Sequence, residues 1–286
     1  VHPEPGSNSP IKSTPEGVWF RALPYSCAFK IPRRSNRRNI ECTRQGHFCQ
    51  DGGMLDLLVV VPHPDDESFG AGGALLLAKR AGLRTGILTL TRGEAGRTLG
   101  LCPPEALPRV RTQELERAAE ILEVDFLEVL SFPNALPQAV HLESRGPKEA
   151  AEGPRGLASG KGLLDHPEAE AAIRERLLAQ RPRYVLTFPP DGINGHPDHV
   201  ATSRYATRAA EGLARVVYFV RPEGPWPVTH RLHLPEWALA RKLKALAQHR
   251  TQALSLLDFM ERYPERLWTE TFHLPGTEGT QEGAWW

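Results

Sequence analysis

Residues 55–67 read Leu-Asp-Leu-Leu-Val-Val-Val-Pro-His-Pro-Asp-Asp-Glu, an apolar run that ends in a cluster of ionisable side chains. A continuous run of this kind is typical of a strand that is buried on both faces of a parallel sheet. Ligands of open α/β sheets bind beyond the carboxyl ends of the strands. The stretch therefore predicts a buried strand that places His63, Asp65 and Asp66 where chemistry is expected.

Apolar runs alternate with helical patterns along the rest of the chain. Strands are predicted at 55–61, 85–90, 126–130, 184–188 and 216–220, with a further candidate at 230–234. Helices are predicted at 69–81, 108–122, 167–180 and 197–212, followed by one long helix from 235 to about 259. This order predicts an α/β fold: a Rossmann-like, doubly wound, mostly parallel sheet with helices on both faces.

Composition divides the chain into three segments. Residues 1–53 are rich in proline and nearly aperiodic, so we expect a disordered leader or a non-native extension, with a docking arm as the alternative. The domain is expected to span 54–260, and 261–286 is expected to be a C-terminal tail. Within the domain, 133–165 is a long Gly-, Pro- and Ala-rich loop, and such loops are usually functional or disordered.

Overall composition excludes several classes of partner. The net charge of the 286 residues is +1, which gives no electrostatic case for nucleic acid. The sequence has no apolar stretch long enough for a membrane span and no signal-peptide pattern at its start, so we expect a cytoplasmic protein. Three of the four cysteines precede residue 53, which disfavours a disulfide framework. The expected partner is a small molecule, and homo-oligomerisation is left open.

A second motif follows the fourth predicted strand. Residues 191–199 read Asp-Gly-Ile-Asn-Gly-His-Pro-Asp-His. Pro197 suits the first position of a helix, and His196 and His199 can face one spot across that helix start. With the first motif, this supplies one histidine, one carboxylate and a second histidine, the ligand set of a catalytic zinc. In amide hydrolysis, a spare carboxylate can then take the water's proton, and a spare histidine can stabilise the oxyanion or protonate the leaving amine. In the alternative interpretation, His63 and Asp65 only cap a helix.

The paired motifs resemble the PIG-L/LmbE-like zinc deacetylases, which remove acetyl from N-acetylglucosamine conjugates. The resemblance covers most of 54–260 and includes Thr-Arg-Gly-Glu-Ala-Gly-Arg at 91–97, Arg-Val-Arg-Thr-Gln-Glu at 109–114 and His-Arg-Thr-Gln at 249–252. These additional patterns look most like the bacillithiol-biosynthesis branch, whose substrate is N-acetylglucosaminyl-malate. Two features depart from the family pattern: the turn after the third strand, where an Asp is frequent, reads Phe132-Pro133-Asn134, and the loop 133–165 is long. Both departures concern the substrate.

The resemblance implies one zinc ion per chain, held by His63, Asp66 and His199. It makes Asp65 the general base and His196 the group that stabilises the tetrahedral intermediate. Arginines are the candidate substrate contacts: Arg111, which matches a family arginine, and Arg92 and Arg97, which lie in a glycine-containing loop. The alternative for Arg111 is a solvated charge on an amphipathic helix. His249 and Gln252 are expected to support the site or to pack.

Two rival classes of protein fit the sequence less well than a deacetylase. Residues 70–73, Gly-Ala-Gly-Gly, suggest a nucleotide-binding turn, but the acidic residues before them would repel a pyrophosphate. Those glycines more simply permit close packing. A metal-binding protein without catalysis is disfavoured because Asp65 and His196 are both present. The same chemistry on another N-acylated sugar or small-molecule amide stays open.

A chain that begins at Met54 is expected to fold and to hydrolyse substrate about as well as the full chain, because 1–53 offer little apolar surface to a core. Melting temperature and acetate release, measured for both chains side by side, check this. Loss of solubility or activity on truncation would show that the removed residues belong to the working protein.

Overall fold

The computed structural model describes residues 54–135 and 162–286. Its strands are β1 (Leu57–Val61), β2 (Thr85–Thr89), β3 (Phe126–Val129), β4 (Tyr184–Thr187), β5 (Arg215–Phe219), β6 (His230–His233), β7 (Thr269–His273) and β8 (Gln281–Glu282). Its α-helices are α1 (Asp66–Arg80), α2 (Leu107–Leu122), α3 (Glu168–Gln180), α4 (Pro197–Ala209), α5 (Glu236–Leu246) and α6 (Ala253–Arg262). Each predicted strand has a counterpart among them.

The strands form one sheet in the order β3-β2-β1-β4-β5-β7-β6-β8. Strands β1 to β5 are parallel to one another, whereas β7 is antiparallel to both β5 and β6. The predicted α/β class with a mostly parallel sheet is confirmed. Strands β1 and β4 are neighbours although they lie far apart in the sequence. Because parallel strands end at the same sheet edge, this adjacency brings the loops of the two motifs together.

The side chains of β1 alternate between two apolar cores. Leu57, Val59 and Val61 pack with residues of α1, α2 and α5 on one face of the sheet. Leu58 and Val60 pack with residues of α3 and α4 on the other face. The strand is therefore buried on both faces, as its continuous apolar run predicts, and helices cover both sides of the sheet.

Glycine permits the close approach of α1 to its neighbours. A Cβ atom placed on Gly73 would lie 2.3 Å from Leu234 Cδ2 and 2.9 Å from Glu270 Oε1. No side chain fits in that space, so a residue without Cβ is required there. The glycine run at the start of α1 thus has the packing role that the sequence favoured over nucleotide binding.

The prediction of one long helix from 235 to about 259 is wrong in the middle of that range. The structure has α5, a short 3₁₀ turn and then α6. His249, with φ −78° and ψ 61°, leaves the helical conformation. The break lets His249 Nε2 bond Glu67 Oε1 at 2.9 Å. It also lets Thr251 donate from its backbone and its hydroxyl to Glu114, at 3.0 and 2.6 Å. Bonds to these buried carboxylates outweigh the local helical pattern.

The segment 261–286, expected from its sequence to be a tail, contributes two strands. Strand β7 lies inside the sheet between β5 and β6, and β8 extends the edge beside β6. Phe272 of β7 is fully buried. The sheet therefore continues past residue 260.

Two predicted segments cannot be compared with the structure. The leader 1–53, and residues 136–161 of the predicted loop 133–165, lie outside the described residues. Among the helices that are described, none has the length and apolar character needed to cross a membrane.

A buried ion pair fastens β7 to two helices. Lys242 Nζ of α5 lies 2.7 Å from Glu270 Oε1 of β7, and their side chains are 0% and 3% exposed. Glu270 also accepts the backbone N–H groups of Gly73 and Ala74 in α1, at 2.7 and 2.8 Å. The Glu270 carboxylate therefore fixes the position of α1 relative to the sheet. Helix α1 begins at Asp66, within the predicted site.

Replacing Lys242 with Met is expected to lower the free energy of unfolding by about 3 kcal/mol or more, because it leaves the Glu270 carboxylate buried without its counter-charge. Urea denaturation measures the change. Adding Glu270→Gln removes the uncompensated charge and keeps an oxygen for one of the two α1 N–H groups, so the double variant should recover part of the loss. A single variant as stable as the wild type would contradict this account.

Candidate metal centre and active site

Three side chains converge beyond the carboxyl ends of β1 and β4. His63 follows β1, Asp66 opens α1 and His199 lies in the first turn of α4. His63 Nδ1 is 3.3 Å from Asp66 Oδ2, and His199 Nε2 is 3.5 Å from Asp66 Oδ1. One ligand atom from each residue lies within 4.8 Å of the others. The three residues expected to bind metal, called the triad below, thus share one small volume.

Each imidazole of the triad is oriented by a second hydrogen bond. His63 Nε2 lies 3.0 Å from Asp198 Oδ2, which leaves Nδ1 toward Asp66. His199 Nδ1 lies 3.1 Å from the Gly192 carbonyl oxygen, which leaves Nε2 toward Asp66. Metal-binding histidines are typically fixed in this way by a carboxylate or a backbone carbonyl on the far nitrogen. The triad therefore has the orientation of a metal site.

The electrostatics of the triad favour a cation. Burial by itself lowers the pKa of His63, but hydrogen bonds and charge from Asp198 and Asp66 outweigh it and raise this pKa to about 10. Burial raises the pKa of Asp66, yet the two triad histidines outweigh it and lower this pKa to about 2. Two imidazole nitrogens and a carboxylate oxygen are also a ligand set of catalytic zinc sites, which leave a fourth position for water. The residues present fit a zinc ion.

Asp198 joins the two motifs, and no role was predicted for it from the sequence. Its Oδ2 accepts from Asn134 Nδ2 and the Ala135 N–H at 3.1 and 2.7 Å, besides contacting His63 Nε2. Its Oδ1 accepts from the Leu163 N–H at 2.8 Å. Asn134, which lies in the turn noted as a departure from the family pattern, therefore contacts the carboxylate that orients a triad histidine. The available sequence signal was the place of Asp198 between the two histidines of its motif.

A second group of potential metal ligands shares His63 with the triad and adds His196 and Asp198. Its donor atoms are already engaged. Asp198 uses both carboxylate oxygens as described, and His196 Nδ1 accepts the Asp198 backbone N–H at 3.2 Å. Metal binding by this group would break those bonds, so the triad is the better candidate.

Asp65 stands beside the triad in a strained conformation. Its φ of 124° lies in a region that residues with a side chain rarely adopt. Its side chain makes no capping bond to α1, contrary to the capping alternative, and Oδ1 lies 3.4 Å from Arg111 Nη2. Burial raises the pKa of Asp65 to about 7, with the Arg111 charge opposing the rise and Asp66 adding to it. A carboxyl with a pKa near neutrality suits proton transfer.

Glu67 holds the backbone of Asp65 in place. Glu67 Oε2 accepts the Asp65 N–H at 2.9 Å. Its other oxygen accepts from the Ser68 hydroxyl at 2.5 Å and lies 2.9 Å from His249 Nε2. Glu67 is fully buried, and His249 is 3% exposed. His249 therefore supports the site, one of the two roles expected for it, through a buried carboxylate for which the sequence predicted no function.

His196 is set up as a neutral hydrogen-bond donor. Burial and the charges of His63 and His199 lower its pKa to about 2, against smaller opposing effects of Asp198 and Asp66. Because Nδ1 accepts the Asp198 N–H, the single ring proton belongs on Nε2. The His196 ring centroid lies 4.9 Å from that of His63 and 5.0 Å from that of His199. A donor thus lies beside the triad without being needed as a ligand.

The three candidate substrate arginines differ in position. A cavity of about 230 Å³ contains the triad, Asp65 and His196, and Arg97 and Arg111 line it. Arg111 is buried, donates to the Gly93 and Pro64 carbonyl oxygens at 2.9 and 2.5 Å, and is therefore no solvated surface charge. Arg92 is exposed and does not line this cavity. Gln252, which shares a sequence motif with His249, does line it.

Comparison with known proteins identifies the family. A profile described as PIG-L, GlcNAc-PI de-N-acetylase, matches residues 58–210, more than half of the chain. The match includes both motifs. The chain belongs to this family.

Two curated relatives carry the same description, 1D-myo-inositol 2-acetamido-2-deoxy-alpha-D-glucopyranoside deacetylase. The protein of Kineococcus radiotolerans is 34% identical over 214 residues, which cover 67% of this chain and 55% of the relative. That of Nocardia farcinica is 34% identical over 200 residues, 66% of this chain and 63% of the relative. The chain thus matches less than two thirds of the length of these relatives. Both are named for an inositol glycoside, so the relatives do not support the bacillithiol branch expected from the sequence.

Solved structures share the fold. A conserved protein from Thermus thermophilus aligns with a TM-score of 0.59 at 28% identity, covering 80% of this chain and 98% of that protein. N,N'-diacetylchitobiose deacetylase from Pyrococcus horikoshii aligns with a TM-score of 0.57 at 19% identity, covering 78% and 83%. The architecture of the described residues is therefore an established one.

Replacing Asp198 with Asn is expected to weaken zinc binding about 10- to 100-fold, because it removes the charge that orients His63 and raises its basicity. Asp191→Asn is the matched control: it makes the same change in the loop after β4, where Asp191 Oδ1 accepts from Trp226 at 3.0 Å. Titration with a competing zinc chelator gives both affinities. Equal affinities in the two variants would contradict the role assigned to Asp198.

Proposed function

We propose that the protein is a zinc-dependent N-deacetylase that hydrolyses the acetamide of an N-acetylglucosaminyl conjugate. The observation that carries the proposal is the placement of Asp65 and His196 in the same cavity as the triad. Metal ligands alone would serve storage or sensing equally well. A proton acceptor and a neutral donor beside the triad are what amide hydrolysis requires.

Asp65 is proposed to move the protons of the reaction. Its carboxylate removes a proton from the attacking water while the water oxygen forms a bond to the acetyl carbon. When the carbon–nitrogen bond breaks, Asp65 returns that proton to the leaving nitrogen. The products are a free amine and acetic acid, which ionises to acetate in solution. The pKa of about 7 lets one group accept and then donate a proton near neutral pH.

His196 is proposed to stabilise the negative charge on the carbonyl oxygen. Its Nε2–H is a fixed donor, because its Nδ1 is committed to the Asp198 N–H. His63, Asp66 and His199 would hold the zinc ion, which when bound polarises the carbonyl and lowers the pKa of the water. Asp66 and Asp65 thus have different proposed roles: Asp66 faces the triad histidines and would bind the metal, whereas Asp65 faces Arg111 and would transfer the proton.

The proposed substrate class is a glucosamine derivative acetylated on nitrogen. The descriptions of the two curated relatives support it, since both name a 2-acetamido-glucoside of inositol. The malate glycoside suggested by the sequence resemblance contains the same sugar and the same amide. The two conjugates differ only in the group attached through the anomeric oxygen, called the aglycone below.

Acetate release tests the proposal. The 286-residue chain, loaded with zinc, is incubated with N-acetylglucosaminyl-inositol, N-acetylglucosaminyl-malate and free N-acetylglucosamine. Acetate should appear with at least one conjugate, and a chelator should abolish it. Stoichiometric zinc without acetate from any of the three would instead favour the non-catalytic metal-binding alternative.

Variants of neighbouring residues separate the proposed roles. Asp65→Asn should lower kcat by about 10²–10⁴-fold with zinc retained, because shape is kept and the base is lost. His196→Ala should lower kcat by about 10²–10³-fold, also with zinc retained. Asp66→Asn, the matched control for Asp65, should lose zinc and regain part of its activity when zinc is added. Zinc content and kcat are measured together. Loss of zinc from Asp65→Asn but not from Asp66→Asn would reverse the assignment.

A further inference from the structure

A second cavity, of about 630 Å³, adjoins the one that contains the triad. The two cavities share four lining residues: Asp66, Phe69, Asn194 and Ser255. A ligand whose acetamide lies at the triad can therefore extend past them into the larger space. That volume falls in the range of small-molecule sites and exceeds what an acetyl group needs. The larger cavity is the available place for the aglycone.

Two of the acidic residues that line the larger cavity have cationic partners of their own. Asp258 Oδ1 lies 2.6 Å from Arg262 Nε, one helical turn further along α6. Glu270 is paired with the buried Lys242 and accepts two α1 N–H groups. The third, Asp66, belongs to the triad. The carboxylates on the wall therefore do not compensate further positive charges.

Two further arginines, Arg221 and Arg266, line the cavity, and the charge of Glu223 acts on both of them. Arg221 Nε is 4.0 Å from Glu223 Oε1, at the outer limit of an ion pair. Within the described part of the chain, no carboxylate forms an ion pair with Arg266. Its guanidinium lies instead over the rings of Phe259 and Tyr263, 5.4 and 5.2 Å from their centroids. These rings orient the guanidinium and leave its hydrogen-bond donors without an anion.

The two guanidinium groups also act on each other. Burial lowers the pKa of Arg266; Glu223 opposes this, and the charge of Arg221 lowers the pKa further. Like charges that face one partly buried cavity are unfavourable until an anion lies between them. A planar anion bound by two arginines can accept several parallel hydrogen bonds, which are stronger when both partners are charged.

We propose that Arg221 and Arg266 form an anion subsite that receives a negatively charged group, a carboxylate or a phosphate, on the aglycone of the substrate. The proposal rests on the deacetylase function proposed above and adds a selection rule to it. The enzyme would prefer acidic glycosides over neutral ones of the same size. The aromatic rings beside Arg266 would accommodate the body of the aglycone.

A pair of glycosides that differ only in charge tests the subsite. The probes are the 4-carboxyphenyl and 4-carbamoylphenyl 2-acetamido-2-deoxy-α-D-glucopyranosides. The zinc-loaded 286-residue chain should show a kcat/KM at least about tenfold higher for the carboxylate, the effect expected for hydrogen bonds between charged groups. Arg266→Met and Arg221→Met should each reduce this ratio, and the double variant should bring it near one.

Two further variants exclude trivial causes. Arg208→Met also removes one positive charge, but Arg208 is an exposed residue of α4 that pairs with Glu170 at 3.7 Å, and it should leave the ratio unchanged. Arg266→Lys keeps the charge and should keep part of the preference. Melting temperatures identify any variant that fails to fold. If one of the two single Met variants does not fold, the kcat/KM ratio of the other one tests the subsite.

Binding measurements separate failure of the subsite from failure of the deacetylase proposal. If the wild type hydrolyses neither glycoside, the proposed activity is wrong for these substrates, and calorimetric titration with the same two compounds still tests the subsite. Tighter binding of the carboxylate that disappears in the double variant supports the subsite in either case. Equal affinity in the wild type, or a preference that persists in the double variant, overturns it.

Discussion

The arrangement of the site depends on one constraint at the junction of β1 and α1. Asp65 has a φ of 124°, and the buried carboxylate of Glu67 holds its backbone N–H at 2.9 Å. His249, at the break between α5 and α6, holds Glu67 in turn. Without this bond, the positive φ would be an unfavourable state for a residue with a side chain. The junction turns Asp65 toward Arg111 while Asp66 turns toward the triad histidines.

The second motif supplies the remaining residues of the site, because β4 lies next to β1 in the sheet. Asp198 contacts His63 through its side chain and His196 through its backbone N–H. One residue therefore sets the ring orientation of a triad histidine and the tautomer of the neighbouring histidine. This coupling explains why two histidines so close together can serve different purposes: one is held with a nitrogen toward Asp66, and the other is held as a neutral donor.

The sequence predicted the features that local patterns encode. The apolar run of β1, the alternation of strands and helices and the two motifs were sufficient for the fold class and for the meeting of the two motifs at one sheet edge. The choice of His63, Asp66 and His199 among their side chains came from the family resemblance. It missed features that depend on distant contacts. Strand β7 has a polar sequence and is recognisable only once it lies between β5 and β6. The helix break at His249 and the conformation of Asp65 both follow from the burial of Glu67, which is a tertiary effect that no local pattern contains.

X-ray absorption at the zinc edge tests the central claim, that His63, Asp66 and His199 hold the metal while His196 stands apart. The zinc-loaded wild type and the His196→Ala variant are measured under the same conditions. Two imidazole ligands with Zn–N distances near about 2.0–2.1 Å are predicted for both proteins. A spectrum with three imidazoles in the wild type and two in the variant would make His196 a ligand and would contradict the account of this site.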